Sequence, residues 1–464
     1  MTKKILFLFA LIPCILLSQH SIKGRFSPAE DYKYIILYKV TPTASIYVNN
    51  AEVDEKGNFE IPLDTAITKG VYRIVYAMPQ EDYNFDIIYN AKEDIELTFS
   101  EENGVEFIKS IENKLLTSYT KSMMMVNQTI NNFYSQSNHD EKSFAAIINT
   151  LKEAQDSFEE ASEGTIANKF IKANSPYIPV TYEDARTYSK NLKNNYLKHV
   201  DFNDPILQSS EFLIQRMLGY VFDMTSNPND MDGLKANVDD IAKAVENTDK
   251  NYQKTLLKIL WNQFADTENE AMANYVATEY LMPISKEMHD DELTNELIIF
   301  MNTSINAEAP DFSIEILNDD DEKELSELSG LDSHQRYIIL FWSSSCSHCL
   351  EELPELKKYM DLLEEGDTKV IAIGLEDEPY NWNNEILYYQ DFIHVYGKGK
   401  WDNTISNLYG VTATPTYFVL DKDKKIVAKP YDFKALKEYL DKNPVNVENG
   451  HEDKNKKEQI KKEK

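Results

Sequence analysis

An apolar strand that leads through two closely spaced cysteines into a helix is the feature that most constrains this chain. The run from Tyr337 to Trp342 consists of isoleucine, leucine and aromatic residues, as in a buried strand, and residues 350–363 show helical spacing. Cys346 and Cys349 lie between these two segments. The sequence therefore predicts a pair of thiols at a strand-to-helix junction.

The position of the pair predicts a different role for each thiol. A helix N-terminus carries partial positive charge and unpaired N–H groups, which would stabilise a thiolate at Cys346 and make it the attacking nucleophile. Cys349, one turn further into the helix, would be the resolving thiol. His348 lies between them and, when protonated, would lower the pKa of Cys346 and make the couple more oxidising.

The third cysteine, Cys14, belongs to a predicted secretory signal peptide over residues 1–19. Lys3 and Lys4 precede an apolar run, residues 5–17, that is shorter than the roughly 20 residues of a membrane-spanning helix. Pro13 stands where a lipoprotein signal needs a small residue, which argues against a lipid anchor at Cys14. We therefore expect a chain exported to the periplasm or cell envelope, with no transmembrane segment in its mature form.

Removal of this segment leaves Cys346 and Cys349 as the two thiols of the exported chain. A bridge between residues so close in sequence would restrict the unfolded chain little, which favours redox chemistry over a structural disulfide. The expected redox group is therefore the Cys346–Cys349 disulfide itself, with no separate cofactor and no metal.

The length and charge of the chain limit its architecture and partners. Its 464 residues exceed one domain of about 100–150 residues, so several folded units are expected. A hydrophobic content of 42% is enough for sizeable cores. The formal net charge of -30 would repel a phosphate backbone, so we expect no nucleic-acid partner.

The residue pattern predicts a multidomain chain. Short runs such as Tyr34–Tyr38 and Val71–Tyr76 alternate with turn signals, which predicts an all-β, sandwich-like module over residues 20–101. Apolar residues at helical spacing predict an all-α region over residues 102–307. Residues 308–443 alternate strand-like and helix-like segments, as in an α/β domain, and residues 444–464 form a charged tail that we expect to be disordered.

Several separated motifs in the α/β region match one family. Ala309–Phe312 reads Ala-Pro-Asp-Phe, Phe341 and Trp342 precede the cysteines, Pro354 follows them in the helix, and Thr414–Thr416 reads Thr-Pro-Thr before a strand. In order and spacing, these motifs resemble the TlpA-type thioredoxin-fold proteins of the thioredoxin and AhpC/TSA superfamily. The two preceding regions resemble, more loosely, the β-sandwich and helical extensions of Bacteroidota members of that family.

The resemblance implies a thioredoxin fold and a thiol-disulfide oxidoreductase, most simply a disulfide reductase. It implies a cis Pro415 opposite the cysteines, with the backbone of Thr414 free to pair with a substrate chain. Glu352 would accept the proton of Cys349, although an ordinary solvated helix glutamate is an alternative reading of Glu352. Trp342 is expected to tune the redox couple. The implied partners are envelope proteins with disulfides, and a membrane thiol protein or an oxidant that resets the pair.

The chain departs from the family pattern next to the cysteines. Ser345 replaces the aromatic residue that usually precedes the first cysteine, and Ser347 replaces a proline common between the two. Both changes alter the surface and the redox poise of the motif.

Three alternatives to this function remain open. A thiol-dependent peroxidase of the same superfamily needs a proline and an arginine near its cysteine, but Ile339 stands at the proline position and Arg336 precedes the strand. A metal site could combine the cysteines with a distant histidine such as His394, which we expect on a surface or loop. A non-catalytic envelope binding or assembly factor would use the fold only as a surface.

Two further segments have more than one interpretation. Met123–Met125 can be an adaptable binding surface or, as we favour, core filler. The acidic run Asp319–Glu322 can resemble a cation site, but a solvated loop is favoured.

Overall fold

The computed structural model describes residues 20–137, 139–225, 227, 229–317 and 323–445. The predicted signal peptide with Cys14, the acidic run 319–322 and residues 446–464 of the predicted tail lie outside the described residues. Within the described part of the chain, no helix combines the length and the apolar content needed to cross a membrane. The chain divides into two compact units, Met1–Leu260 and Trp261–Lys464.

The first unit begins with two four-stranded sheets that share one hydrophobic core. Their orders are β4-β1-β7-β8 and β3-β2-β5-β6, and neighbouring strands are antiparallel except for the parallel pair β1–β7. Alternate residues of both sheets, such as Phe26, Ile35 and Ile61, fill the core between them. This arrangement confirms the predicted sandwich-like β module. The strands are β1 His20–Ser27, β2 Tyr34–Val40, β3 Ser45–Glu52, β4 Asn58–Leu63, β5 Gly70–Val75, β6 Asn84–Tyr89, β7 Ile95–Ser100 and β8 Gly104–Lys109.

The last of these strands lies beyond residue 101, where the sequence pattern predicted helices from about residue 105. Over β8 that prediction is wrong, because Val105 and Phe107 alternate with exposed residues, pack against the β core and pair with β7. The first helix begins at Ile111, and the hydroxyl of Ser110 caps it by accepting the N–H of Asn113.

Helices follow from Ile111 to Asn302, which confirms the predicted all-α region. The consecutive methionines Met123, Met124 and Met125 lie on α1, and because neighbouring residues point about 100° apart on a helix, they do not share one environment. Met123 is buried, whereas Met124 and Met125 are exposed, so the favoured core interpretation holds for Met123 alone. The helices are α1 Ile111–Ser135, α2 Glu141–Ala161, α3 Ala167–Ala173, α4 Ala185–Asn195, α5 Pro205–Gln208, α6 Phe212–Leu218, α7 Met231–Val245, α8 Lys250–Asp266, α9 Glu270–Val276, α10 Met282–Glu287 and α11 Asp291–Asn302.

The second unit contains a five-stranded mixed sheet of order β13-β12-β11-β14-β15. β11, β12 and β13 are parallel, and β14 and β15 are antiparallel to their neighbours. A separate hairpin of β9 and β10 precedes the sheet. The elements are β9 Ser313–Leu317, β10 Lys323–Glu327, β11 Arg336–Trp342, α12 Ser347–Met360, β12 Thr368–Glu376, α13 Pro379–Glu385, β13 Ile393–Lys398, α14 Thr404–Leu408, β14 Thr416–Asp421, β15 Ile426–Ala428 and α15 Phe433–Lys442.

The last helices before the sheet belong to this second unit. Lys429, after β15, forms an ion pair with Glu270 of α9, and the N–H of Ile305 donates to the same carboxylate. The predicted domain limits at residues 307 and 308 and at residue 443 stay predictions.

The central strand β11 is buried on both faces of the sheet. On one face, Ile339 and Phe341 pack with Phe312 and Phe418. On the other face, Trp342 packs with residues of α12, α13 and α15, including Cys349. β11 is apolar from Tyr337 to Trp342, a continuous run that is typical of a sheet covered on both sides and that makes this segment so distinct in the sequence.

Candidate active site

The loop after β11 brings the first cysteine to the start of α12. Cys346 is the N-cap residue of this helix, and its sulfur accepts the N–H of Cys349 at 3.2 Å. The N–H of Cys346 donates to the carbonyl of Ser343 at 3.0 Å, and the hydroxyls of Ser343 and Ser345 lie 2.9 Å apart. The predicted strand-to-helix junction is therefore present, with a sulfur in the position that a serine or aspartate side chain usually takes.

The two thiols have different environments, and their pKa values differ accordingly. Burial works to raise the pKa of Cys346, but hydrogen bonds from the Cys349 thiol and from backbone N–H groups outweigh it, so this pKa lies below the usual cysteine value. Burial, followed by the hydrogen bond to Cys346, raises the pKa of Cys349 to about 12. Cys349 has no exposed surface, whereas Cys346 is partly accessible, and both are thiols in this structure. The sulfur of Cys346 can thus react with an external disulfide, whereas the sulfur of Cys349 is buried and protonated.

A cis-proline loop covers the accessible sulfur. The Thr414–Pro415 peptide bond is cis, and the carbonyl oxygen of Thr414 accepts the Cys346 thiol at 3.4 Å. β14 begins directly after this loop and pairs antiparallel with β11, which places the loop beside the cysteines. The structure therefore brings Thr414 and Pro415 to the thiol pair, although the Thr414 carbonyl is already engaged by Cys346.

Glu352 lies on α12 one turn after Cys349 and is half-buried. Its Oε2 accepts the hydroxyl of Tyr417 at 2.8 Å and the N–H of Phe433 at 3.0 Å. The pKa of the Tyr417 hydroxyl is raised, first by burial and then by the charges of Glu352 and Cys349. Glu352 is thus not an ordinary solvated glutamate, and Tyr417, which sequence analysis missed as a site residue, lies near both groups.

A second carboxylate that sequence analysis missed supports the cysteine loop. Glu376 is the last residue of β12 and is buried, and its Oε1 accepts the N–H of Ser344. Its backbone carbonyl accepts the N–H of Gly399 at 3.1 Å, so it also joins the loops after β12 and β13. The signal in the sequence was an acidic residue at the end of an apolar parallel strand, the edge at which ligand and catalytic groups gather in open α/β sheets.

The sequence also singled out Trp342, His348 and His394, and these three residues have different environments. Trp342 is fully buried in the cluster that contains Cys349, so it helps to exclude water from the second thiol. His348 is exposed within the first turn of α12. His394 lies in β13, half-buried, with Nε2 2.8 Å from the carbonyl of Tyr389, so the prediction of a surface or loop position is wrong. β13 is a half-buried edge strand of the sheet, which places His394 in regular structure with one face of the strand covered.

Comparisons with known proteins agree with this geometry. The AhpC/TSA family matches residues 305–429. Thiol-disulfide oxidoreductase ResA of Bacillus thuringiensis (strain Al Hakam) is 29% identical over 124 residues, which are 26% of this chain and 67% of that protein. ResA of Bacillus cereus (strain ATCC 10987 / NRS 248) is 28% identical over 142 residues, 30% of this chain and 78% of that protein. The matched residues lie in a TlpA-like thioredoxin-fold domain. The chain is an oxidoreductase.

Solved structures of similar proteins are also found. A thioredoxin-like protein from Bacteroides caccae is 19% identical, with 58% of this chain and 97% of that chain covered at a TM-score of 0.41. The C-terminal domain of a putative thiol-disulfide oxidoreductase from Bacteroides thetaiotaomicron is 24% identical, with 30% of this chain and 96% of that chain covered at a TM-score of 0.26.

In the part of the thioredoxin domain that the structure describes, no arginine lies beside the cysteine as a peroxidase needs. Arg336 is the first residue of β11, is buried, and donates to the carbonyl of Asn443. β11 has 7 residues, so Arg336 and the cysteine loop lie at opposite ends of a strand about 20 Å long. Among the described residues, no group of three or more histidine, cysteine, aspartate or glutamate side chains is arranged to hold a metal.

The pKa difference predicts selective alkylation. Iodoacetamide should modify Cys346 of the reduced protein with a pH midpoint below that of a free cysteine thiol, because the folded thiol loses its proton at lower pH. Cys349 should stay unmodified through neutral pH, because it remains protonated and buried. Peptide mass spectrometry after timed alkylation measures both rates. In denaturant both thiols should titrate near the free value, and equal reactivity in the folded protein would contradict the assignment.

The contact between Glu376 and Ser344 predicts a second result. Glu376→Ala should leave the Ser344 N–H without its acceptor and cost about 1–3 kcal/mol of unfolding free energy. It should also slow the reaction of Cys346 with a small aromatic disulfide, whereas Glu376→Gln, which keeps a carbonyl acceptor, should restore most of that rate. Tryptophan fluorescence during urea unfolding reports the second unit, since all 4 tryptophans lie there. The exposed Glu378→Ala is the matched control, and an equal loss in that variant would remove the special role of Glu376.

Proposed function

We propose that this protein is an exported thiol-disulfide oxidoreductase that reduces disulfides in proteins of the cell envelope. The observation that supports this function best is the pairing of a partly accessible, low-pKa Cys346 with a buried Cys349 whose pKa is about 12. This asymmetry is what a two-step exchange needs, because one thiolate must attack from outside and the other must wait until a mixed disulfide forms. The proposed export is supported by the signal-like residues 1–19.

The reaction proceeds by two exchanges. The Cys346 thiolate attacks one sulfur of a substrate disulfide, a bond forms between the two sulfurs, and the other substrate sulfur leaves as a thiolate that takes up a proton. Cys349 then loses its proton and attacks Cys346, which releases the second substrate sulfur as a thiol. The substrate disulfide is reduced to two thiols, and the pair is oxidised to the Cys346–Cys349 disulfide. A membrane thiol protein would reduce this disulfide again for the next cycle.

The second step needs a base, because Cys349 is protonated at neutral pH. We assign this role to Glu352, with the hydroxyl of Tyr417 as the group that would pass the proton to the carboxylate. Tyr417 donates to Glu352 at 2.8 Å and is close enough to Cys349 for the charge of that thiol to affect its pKa. Proton transfer of this kind typically contributes 10²–10⁴-fold to rate.

The cis-proline loop would bind the substrate chain beside its disulfide. In the reduced protein, the carbonyl of Thr414 accepts the Cys346 thiol, a contact that is lost once the thiol is deprotonated or joined to a substrate sulfur. The backbone of Thr414 is then free to pair with an extended substrate segment, and Pro415 has no N–H that would compete for it. His348 adds positive charge at the exposed side of the motif when it is protonated and makes the couple more oxidising.

Trapping tests the order of the two thiols. A Cys349→Ala variant should accumulate mixed disulfides with envelope proteins through Cys346, because the second exchange cannot occur. Cys346→Ser should accumulate none. Non-reducing electrophoresis followed by mass spectrometry of the trapped bands identifies the partners. Absence of trapped proteins, under conditions in which the wild-type protein reduces a disulfide, would refute the proposed mechanism.

The base assignment predicts a slower resolving step. A mixed disulfide of Cys346 with an aromatic thiol releases that thiol when Cys349 attacks, and stopped-flow absorbance follows the release. Glu352→Gln should slow it by about 10²-fold at neutral pH, with a smaller loss at high pH where hydroxide can take the proton. Tyr417→Phe should slow it in the same pH range. Glu351→Gln, the exposed neighbour on α12, is the matched control, and an unchanged rate in Glu352→Gln would exclude Glu352 as the base.

A further inference from the structure

A cleft in the first unit lies outside the redox site and has no role in the reaction above. It has a volume of about 380 Å³ and opens between β6 and the helices α1, α3 and α6. Its apolar wall includes Leu116, Phe170 and Phe212, and the rings of the two phenylalanines are in edge contact at 5.9 Å. This volume lies in the range of about 300–1,000 Å³ that is common for ligand sites.

One side of the cleft is a free strand edge. β6 is the last strand of the sheet β3-β2-β5-β6, so one of its edges pairs with β5 and the other has no strand beside it among the residues that the structure describes. On this open edge the side-chain amide of Asn113 accepts the N–H of Ile88 at 2.8 Å and donates to the Ile88 carbonyl at 2.8 Å. Asn113 is itself buried and held by the hydroxyl of Ser110 at 2.8 Å. The amide thus makes the two hydrogen bonds that a peptide group of a neighbouring strand would make.

The next backbone groups along this edge face the cleft. In an antiparallel pair, residues alternate between those bonded to the neighbouring strand and those that point away from it. Because Ile88 bonds outward to Asn113 and the β5–β6 register is regular, Asp86 also points outward. Within the described part of the chain, the structure gives neither the N–H nor the C=O of Asp86 a hydrogen-bond partner. Asp86 and Asn113 both line the cleft.

The charge at this place adds a second preference. The carboxylates of Asp86 and Glu211 both bind Arg73, at 2.8 Å and 2.7 Å, so two negative groups share one guanidinium. Both acidic residues line the cleft, in a chain whose formal net charge is -30. A basic side chain on a ligand would therefore be favoured here.

We propose that this cleft binds an extended polypeptide segment of a partner protein, which adds to the open edge of β6. The segment forms backbone hydrogen bonds with Asp86, in line with those that Asn113 makes to Ile88. It places an apolar side chain against Leu116, Phe170 and Phe212, and a basic side chain near Asp86 and Glu211. Strand addition of this kind takes its affinity from main-chain hydrogen bonds and its selectivity from alternate side chains. The site is independent of the thiol chemistry.

A designed peptide tests the proposal with the full chain. The probe is a fluorescein-labelled peptide of seven residues, alternating valine and lysine, with blocked ends. Its fluorescence anisotropy should rise to saturation with the protein. The same peptide with alternate amides N-methylated, so that it cannot pair with a strand edge, should bind about tenfold more weakly or worse. Equal binding of the two peptides, or no binding of the first, would overturn strand addition.

Two pairs of variants locate the site. Asp86→Pro removes the outward N–H at a position where an edge strand tolerates proline, and it should weaken binding about tenfold relative to Asp86→Ala, which keeps the N–H. An equal loss in both would assign binding to the carboxylate and overturn the backbone contact. Thr120→Trp, an exposed α1 position that lines the cleft, should block the peptide, whereas its neighbour Lys121→Trp should not.

The second pair keeps the test valid if Asp86→Pro does not fold. Peptide binding that persists in Thr120→Trp would place the peptide elsewhere and refute the site. Sedimentation of the wild-type protein tests whether a second copy of this chain occupies the same edge. A dimer that Thr120→Trp dissociates, together with no peptide binding, would replace the partner segment by a second copy of this chain.

Discussion

The hydrogen bond from the N–H of Cys349 to the sulfur of Cys346 determines most of what the thioredoxin domain can do. It makes the sulfur the cap of α12, so that the unpaired N–H groups at the helix start point toward the atom that must carry negative charge. The same geometry places Cys349 one turn inside, against Trp342 and away from solvent. The difference in pKa between the two thiols follows from the burial of Cys349 together with the hydrogen bonds that Cys346 receives at the helix start.

The loops around the cysteines are fixed by groups distant in sequence. The buried carboxylate of Glu376 accepts the N–H of Ser344, and the Thr414 carbonyl meets the thiol of Cys346 from the other side. Glu376 ends β12 and Thr414 lies in the loop before β14, and these two strands neighbour β11 in the sheet, one parallel and one antiparallel. The sheet order therefore brings the reactive sulfur between a carboxylate-anchored loop and a cis-proline loop. Ser345 and Ser347, which replace an aromatic residue and a proline of the family pattern, leave this arrangement of the two loops intact.

The open edge of β6 in the first unit is partly closed by a side chain. Exposed strand edges are a liability, and proteins commonly cover them. Here the Asn113 amide covers one residue of the edge, and the next outward-facing residue, Asp86, opens into a cleft with an apolar wall. An edge that was only protected would be covered at Asp86 as well as at Ile88. Because Asp86 is left open beside the cleft, the edge suggests a ligand site.

Much of the fold was predictable from local sequence patterns. The wrong predictions for β8 and for the methionines of α1 also have causes in the local sequence. The apolar run Tyr337–Trp342 of β11 and the helical spacing of α2 are strong signals, because burial on two faces leaves a continuous apolar run and burial on one stripe leaves a clear period. β8 was missed because only Ser110 separates it from α1, so no turn signal marks where the strand ends and the helix begins. The methionines of α1 were interpreted as a group, although a helix separates consecutive residues in direction.

The sequence by itself determined the thiol pair, its place between strand and helix, and the motifs that mark a TlpA-like domain, since all of these depend on neighbours in the chain. The tertiary structure alone decided which carboxylates meet the site. Glu352 gains Tyr417 and Phe433 as partners, and Glu376 gains Ser344, only after β12, β14 and α15 pack around α12. Burial and hydrogen bonding are properties of that packing, so the pKa difference between Cys346 and Cys349 could be anticipated in direction but was established only by the folded environment.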